Sequence, residues 1–163
     1  MKDSLFGDEE YNIWLILGHI HQALAKARDR ELHPHDITLE QADTLFCIQV
    51  LGNEATLNML SHCMIREHNT VTALINRMES KGLVSKASPA VDRKTSARVK
   101  LTKKGKMAYK VAADRRSMHR AMSVLSTEEK VQLRRILEKL RQAALKELAV
   151  IYDPIGPPPL GME

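Results

Sequence analysis

Cysteine is nearly absent from this 163-residue chain. The two thiols, Cys47 and Cys63, are too few for a disulfide framework and point to a reduced, cytoplasmic protein. No apolar run approaches the roughly 18 residues of a membrane span, and the acidic N-terminus lacks the apolar segment of a secretory signal. Nucleophile elbows, phosphate loops and His/acid pairs of forced proximity are missing, so neither an enzyme nor a cofactor is expected. His62, Cys63 and His68 cluster, and His19, His21, His33 and His35 add candidates, but no spacing matches a zinc pattern, so no metal is expected. Aromatics make up only 4%, while Leu, Ala, Met, Lys, Arg and Glu dominate, so the chain leans helical.

Acidic charge is scarce in one stretch. Residues 81–120 hold thirteen basic side chains against Asp92 and Asp114, a net of +11. Residues 1–60 hold four basic and ten acidic ones, a net of −6. The overall +5 hides this division. A local excess of that size suits a polyanion such as DNA or RNA.

Taken in order, Glu10–Arg30 repeats Ile13, Leu17, Ile20, Leu24 and Ala27 at helical steps, with Trp14, Leu15 and Ile16 making its first turns apolar on nearly all sides. Such a helix needs cover, here best supplied by a second subunit. His33-Pro34 ends it. Thr38 and Gln41 spell a capping box for a helix to about Leu51, its buried face drawn from Ala42, Leu45, Phe46, Ile48 or Gln49, and Val50. A short helix from about Thr56 to Met64 follows, with Leu57, Leu60 and Met64 inward. A helix capped near Asn69 then runs to Lys81, with Val71, Leu74, Ile75 and Met78 as its inward stripe. Gly82 stops it. Leu83–Lys86 and Arg98–Leu101 read as strands around a long tip. Thr102 opens a long helix to about Ser123, with Met107, Val111, Met118 and Met122 apolar. Ser126 opens the last, to about Ile151, with Leu133, Ile136, Leu137, Leu140, Ala144 and Leu148 as its stripe. The tail 153–163 carries four of the six prolines and reads as extended or disordered.

This order predicts a mainly α protein with one small β-hairpin, a winged helix-turn-helix. Residues 38–102 would form the DNA-binding unit, and 10–32 with 103–151 a helical dimerisation region. The outer face of the fourth helix is small and polar. Asn69, Thr70, Thr72 and Asn76 can bond bases or backbone, and Arg77 can reach a phosphate or guanine. Arg93, Lys94 and Arg98 of the wing would supply salt-sensitive contacts.

The run T-V-T-A-L-I-N-R-M-E-S-K-G-L-V, with Asp92 in the wing, V-K-L-T at its exit and Leu101-Thr102-x-x-Gly105, resembles the MarR (multiple antibiotic resistance regulator) family. The resemblance implies a homodimeric transcription regulator, usually a repressor, that binds a pseudo-palindromic operator in double-stranded DNA. It also implies release by a small phenolic or other aromatic effector, or by cysteine oxidation. An effector pocket would lie among Ile16, His19 and Ile20 of the first helix and Phe46 and Val50 of the second; plain core is the competing reading of these residues. Family wings commonly carry Asp-x-Arg, whereas this chain reads Asp92-Arg93-Lys94, so either Arg93 or Lys94 takes the minor-groove place, with Arg93 favoured. Cys47, set among Leu45, Phe46 and Ile48, reads as a buried, inert thiol. A winged-helix protein-interaction module and an effector-independent DNA-binding protein stand as alternatives.

Overall fold

Asp8 starts the first helix by accepting the Tyr11 N–H, at 2.9 Å. The computed structural model describes residues 7–52, 55–87 and 97–148. Helix α1 spans Glu9–Leu32 and closes through the His33–His35 3-10 turn that Pro34 imposes. Thr38 and Gln41 form the expected capping box of α2 (Leu39–Leu51), and Thr56 caps α3 (Leu57–Met64). Helix α4 spans His68–Ser80 and strand β1 Val84–Ala87. Strand β2 (Arg98–Leu101) pairs antiparallel with β1, Val84 opposite Leu101 and Ala87 opposite Arg98. Its other edge is pinned by the Val99 N–H donating to Ala55 O, at 2.8 Å.

The core lies under the hairpin, where α2, α3, α4 and β2 converge. Leu45, Ile48, Leu60, Val71, Ile75, Met78 and Val99 are fully or nearly fully buried there. Each such aliphatic side chain contributes about 1.5–3 kcal/mol on leaving water. The expected α4 stripe of Val71, Leu74, Ile75 and Met78 is buried throughout.

Helix α5 (Lys103–Ala112) is fastened to the hairpin through Thr102. That hydroxyl donates to Gly82 O at 2.6 Å and accepts the Gly105 N–H at 3.0 Å, while the Thr102 N–H donates to Leu83 O at 3.1 Å. Gly105 is required by closeness, because a Cβ there would sit 1.9 Å from Leu83 O. The buried face of α5 is made of small residues, Gly105, Ala108 and Ala112, and Met107 is 63% exposed. Of the apolar residues expected along this stretch, Val111 packs against the core, while Met107, Met118 and Met122 are exposed.

Several expected boundaries move. Helix α4 begins at His68 with Glu67 as N-cap, and Glu67 makes no side-chain cap bond, so Asn69 is not the cap. Strand β1 begins one residue later than expected. Val50 lies 48% exposed rather than on the buried face of α2. The single long helix from Thr102 is two, α5 and α6 (Arg116–Met122). No Gly or Pro marks the break. Buried Arg28 of α1 caps it, donating to Ala112 O and, at 3.2 Å, to Asp114 O. Those carbonyls are thereby satisfied outside a continuous helix. Arg28 also pairs with Glu31 at 3.0 Å.

Glu31 in turn caps α6 from another helix. Its carboxylate accepts the Arg116 N–H at 3.0 Å, the Ser117 N–H at 3.2 Å and the Ser117 hydroxyl. Burial pushes this carboxyl up, but the Ser117 hydroxyl and amide, with Arg28, outweigh it and hold the pKa at about 2, below the usual 4.5. A depressed carboxylate stabilises the fold fully above 4.5 and loses that contribution as pH falls from 4.5 towards 2. The loss should be on the order of 2 kcal/mol, discounted because the carboxylate retains some water contact. Urea midpoints measured from pH 5 to 2 should therefore fall more steeply for the natural chain than for Glu31→Gln; parallel curves would refute the cap.

Helix α7 (Thr127–Glu147) starts at Ser126 as expected, where Ser126 and Glu129 form a capping box. Its only buried residue is Leu145, while Ile136, Leu137, Leu140 and Leu148 are exposed. Trp14 is 64% exposed and Ile16 57% on α1. Residues 149–151 and the proline-rich tail lie outside the described residues.

Candidate DNA-binding surface

The two faces of α4 divide cleanly. Its apolar stripe is buried, and Asn69, Thr70, Asn76 and Arg77 face solvent. Thr72 is half-buried, and its hydroxyl donates to His68 O at 2.8 Å, so it is partly spent inside the helix. Arg77 reaches Glu40 on α2 at 3.7 Å, with its side chain still largely in water. The turn between α3 and α4 passes through Ile65 in the left-handed conformation, φ 51°. Such a turn sets one helix across the next, as a helix-turn-helix requires.

The hairpin stands beside this face. Lys86 of β1 reaches back to α4 and bonds both the Asn76 side-chain oxygen and Glu79. Lys81 pairs with Asp36 at 3.1 Å and Lys104 donates to Lys81 O at 2.8 Å, so the C-terminal end of α4 is tied on two sides. Arg98 is half-buried at the start of β2. Arg93 and Lys94 lie outside the described residues. The sequence reading missed Lys86. Its side chain reaches α4 because β1 folds back beside the end of that helix, and spacing along the chain carries no sign of that.

Phe46 lies between two cavities. One, of about 450 Å3, is walled by α1, α2 and the α5–α6 junction, including His21, Leu24, Arg28, Tyr109, Arg115 and Met118. The Arg115 guanidinium lies over the Phe46 ring, 5.5 Å from its centre. The other is an open groove of about 1130 Å3 running from His21 past Cys47 and Cys63 to Asn76 and Arg77 on α4. Of the expected pocket residues, Phe46 lines both, whereas Ile16, His19, Ile20 and Val50 line neither and are exposed. The wall of α1 begins at His21, within a turn of the residues expected. Asp43 lines both cavities, and burial pushes its carboxyl up against the opposing pull of Arg28, His21 and Arg66. Burial, with Cys63 alongside, also pushes the Cys47 thiol far up, which makes it a poor nucleophile. Among the described residues no group of three His, Cys, Asp or Glu could hold a metal ion, and no helix is long and apolar enough to cross a membrane.

No protein-family profile matches the sequence, and no curated protein does. Solved structures do. The organohalide-sensing transcriptional regulator RdhR, bound to 2,4-dichlorophenol, is 28% identical with a TM-score of 0.78, over 89% of this chain and 87% of that one. A MarR family protein from Bacillus stearothermophilus is 29% identical with a TM-score of 0.66, over 82% and 94%. MepR of S. aureus in complex with DNA is 24% identical with a TM-score of 0.73, over 84% and 99%, a likeness of fold. Taken with the split faces of α4 and the hairpin beside it, these likenesses give the chain the winged helix-turn-helix fold seen in MarR-type transcription regulators.

Proposed function

We propose that the protein is a homodimeric, cytoplasmic repressor that binds a pseudo-palindromic operator and is released by a small aromatic effector. The observation that carries the DNA reading is the exposed polar face of α4, with Asn69, Thr70, Asn76 and Arg77 set beside the hairpin. Two such helices would enter successive major grooves about one DNA turn apart. Arg98, with Arg93 or Lys94 at the wing tip, would meet the flanking minor groove, where arginine is favoured. Pairing rests on the uncovered apolar faces of α1 and α7, which would join residues 10–32 and 103–151 of two copies. The effector reading rests on the cavity beside Phe46 and on the dichlorophenol bound by RdhR. Leu24, Phe46 and Met118 offer an apolar wall to a ring, and Arg115 a cation to an acidic hydroxyl.

Duplex DNA titrated at increasing salt tests the core of this reading. Binding to random DNA should be micromolar or tighter at low salt, with log affinity falling by about 0.9 per log salt for each phosphate neutralised. A palindromic footprint should appear on the operator. Absence of binding at low salt would sink the reading and leave a protein-interaction module in its place.

A further inference from the structure

Asn76 and Lys86 sit on different elements, the exposed face of α4 and strand β1, and their side chains meet. The Lys86 ammonium donates to Asn76 Oδ1 and pairs with Glu79 Oε2 at 2.9 Å. The Lys86 backbone N–H donates to Glu79 Oε1 at 3.1 Å. Hydrogen bonds from Lys86 hold the Glu79 carboxyl below its ordinary range, in keeping with a settled ion pair. Lys86 is thus gripped at both its backbone and its ammonium.

An ammonium carries donors only, so it dictates which way the Asn76 amide faces. Oδ1 is turned to Lys86, and the NH2 group is left for whatever approaches α4. An unrestrained asparagine reads adenine by using its donor and its acceptor together. Here the acceptor is engaged. The pair presents the amide N–H groups and a remaining ammonium proton, which are all donors. Guanine shows two adjacent acceptors in the major groove, O6 and N7, whereas adenine and cytosine each place an amino group there.

We propose that Lys86 is a specificity-determining residue, which by holding Asn76 Oδ1 turns the Asn76–Lys86 pair into an all-donor reader selecting guanine at the base beneath residue 76. This rests on α4 entering the major groove as proposed above. Site selection from a randomised duplex library tests it, with the natural chain, Lys86→Met, Glu79→Gln and Asn76→Ala run in parallel and their folding checked by circular dichroism. Asn76→Ala identifies the position read, as the one where base preference disappears. The natural chain should favour guanine over adenine there, on the order of tenfold. Lys86→Met, which keeps the stem and removes the donor, should move that position to adenine and leave the others alone. Glu79→Gln, which loosens Lys86, should move it part of the way. If Lys86→Met keeps guanine and loses affinity uniformly, Lys86 is a phosphate contact; the specificity role is then overturned while DNA binding stands. A natural chain that enriches no sequence overturns both.

Discussion

Gly105→Ala should cost the fold about 3 kcal/mol or more and carry DNA binding away with it. The added methyl carbon would lie 1.9 Å from the Leu83 carbonyl oxygen. Overpacking usually costs about 1–3 kcal/mol because side chains can shift aside. Here the obstacle is backbone, so the expectation lies at the upper end or above. That carbonyl already accepts the Thr102 N–H at 3.1 Å and the Thr102 hydroxyl at 3.2 Å. Moving it would break the junction between hairpin and α5 and shift Leu83 and Val84 out of the core. Thermal denaturation followed by circular dichroism reads the loss, and a salt-resolved binding titration reads its consequence. An alanine variant with an unchanged midpoint would mean that α5 can slide away from the hairpin.

The second large effect belongs to Arg28. Arg28→Met keeps much of the side-chain volume but removes the donors to Ala112 O and Asp114 O and strips Glu31 of its cation. Breaking one side of a buried pair costs about 3–5 kcal/mol, mostly from the partner left behind. In a chain of this length the melting temperature should fall on the order of 10 °C. Adding Glu31→Gln to Arg28→Met should restore part of the loss, because the stranded charge is then gone. A double variant that loses the full sum of the two single losses would show that Glu31 acts through the α6 cap alone. Arg28→Met losing under about 1 kcal/mol would show that Arg28 does not hold the α5–α6 break.

Local chemistry was readable in the sequence wherever a few neighbouring residues decide the outcome. Thr38/Gln41 and Ser126/Glu129 form their capping boxes, and Thr102 caps α5. The α4 stripe is buried to the residue, and its opposite face is polar and mostly exposed. What escaped was set by partners far away in the chain. The break after Ala112 has no Gly or Pro to mark it, and its carbonyls are met by Arg28, 84 residues earlier. The cavity wall depends on how α1 crosses α2 and α5, so the expected Ile16, His19 and Ile20 stand outside it while His21, Leu24 and Arg28 form it. Lys86 reads in the sequence as one more strand lysine, and only the fold of β1 against α4 brings it onto Asn76 and Glu79. Periodicity tells which face of an element is covered; it is silent on which distant side chain covers it.

Arg28 holds two posts at once. It is a wall of the cavity beside Phe46, and it is the tie that joins α1 to the α5–α6 corner. A residue so placed has little evolutionary freedom, because any substitution that retunes the cavity also loosens the scaffold. On the proposed effector reading, changes in what the cavity takes would fall on wall positions without that second duty, such as Leu24 and Met118. Architecture thus fixes the chemistry of one wall, and under that reading ligand preference is set by the others.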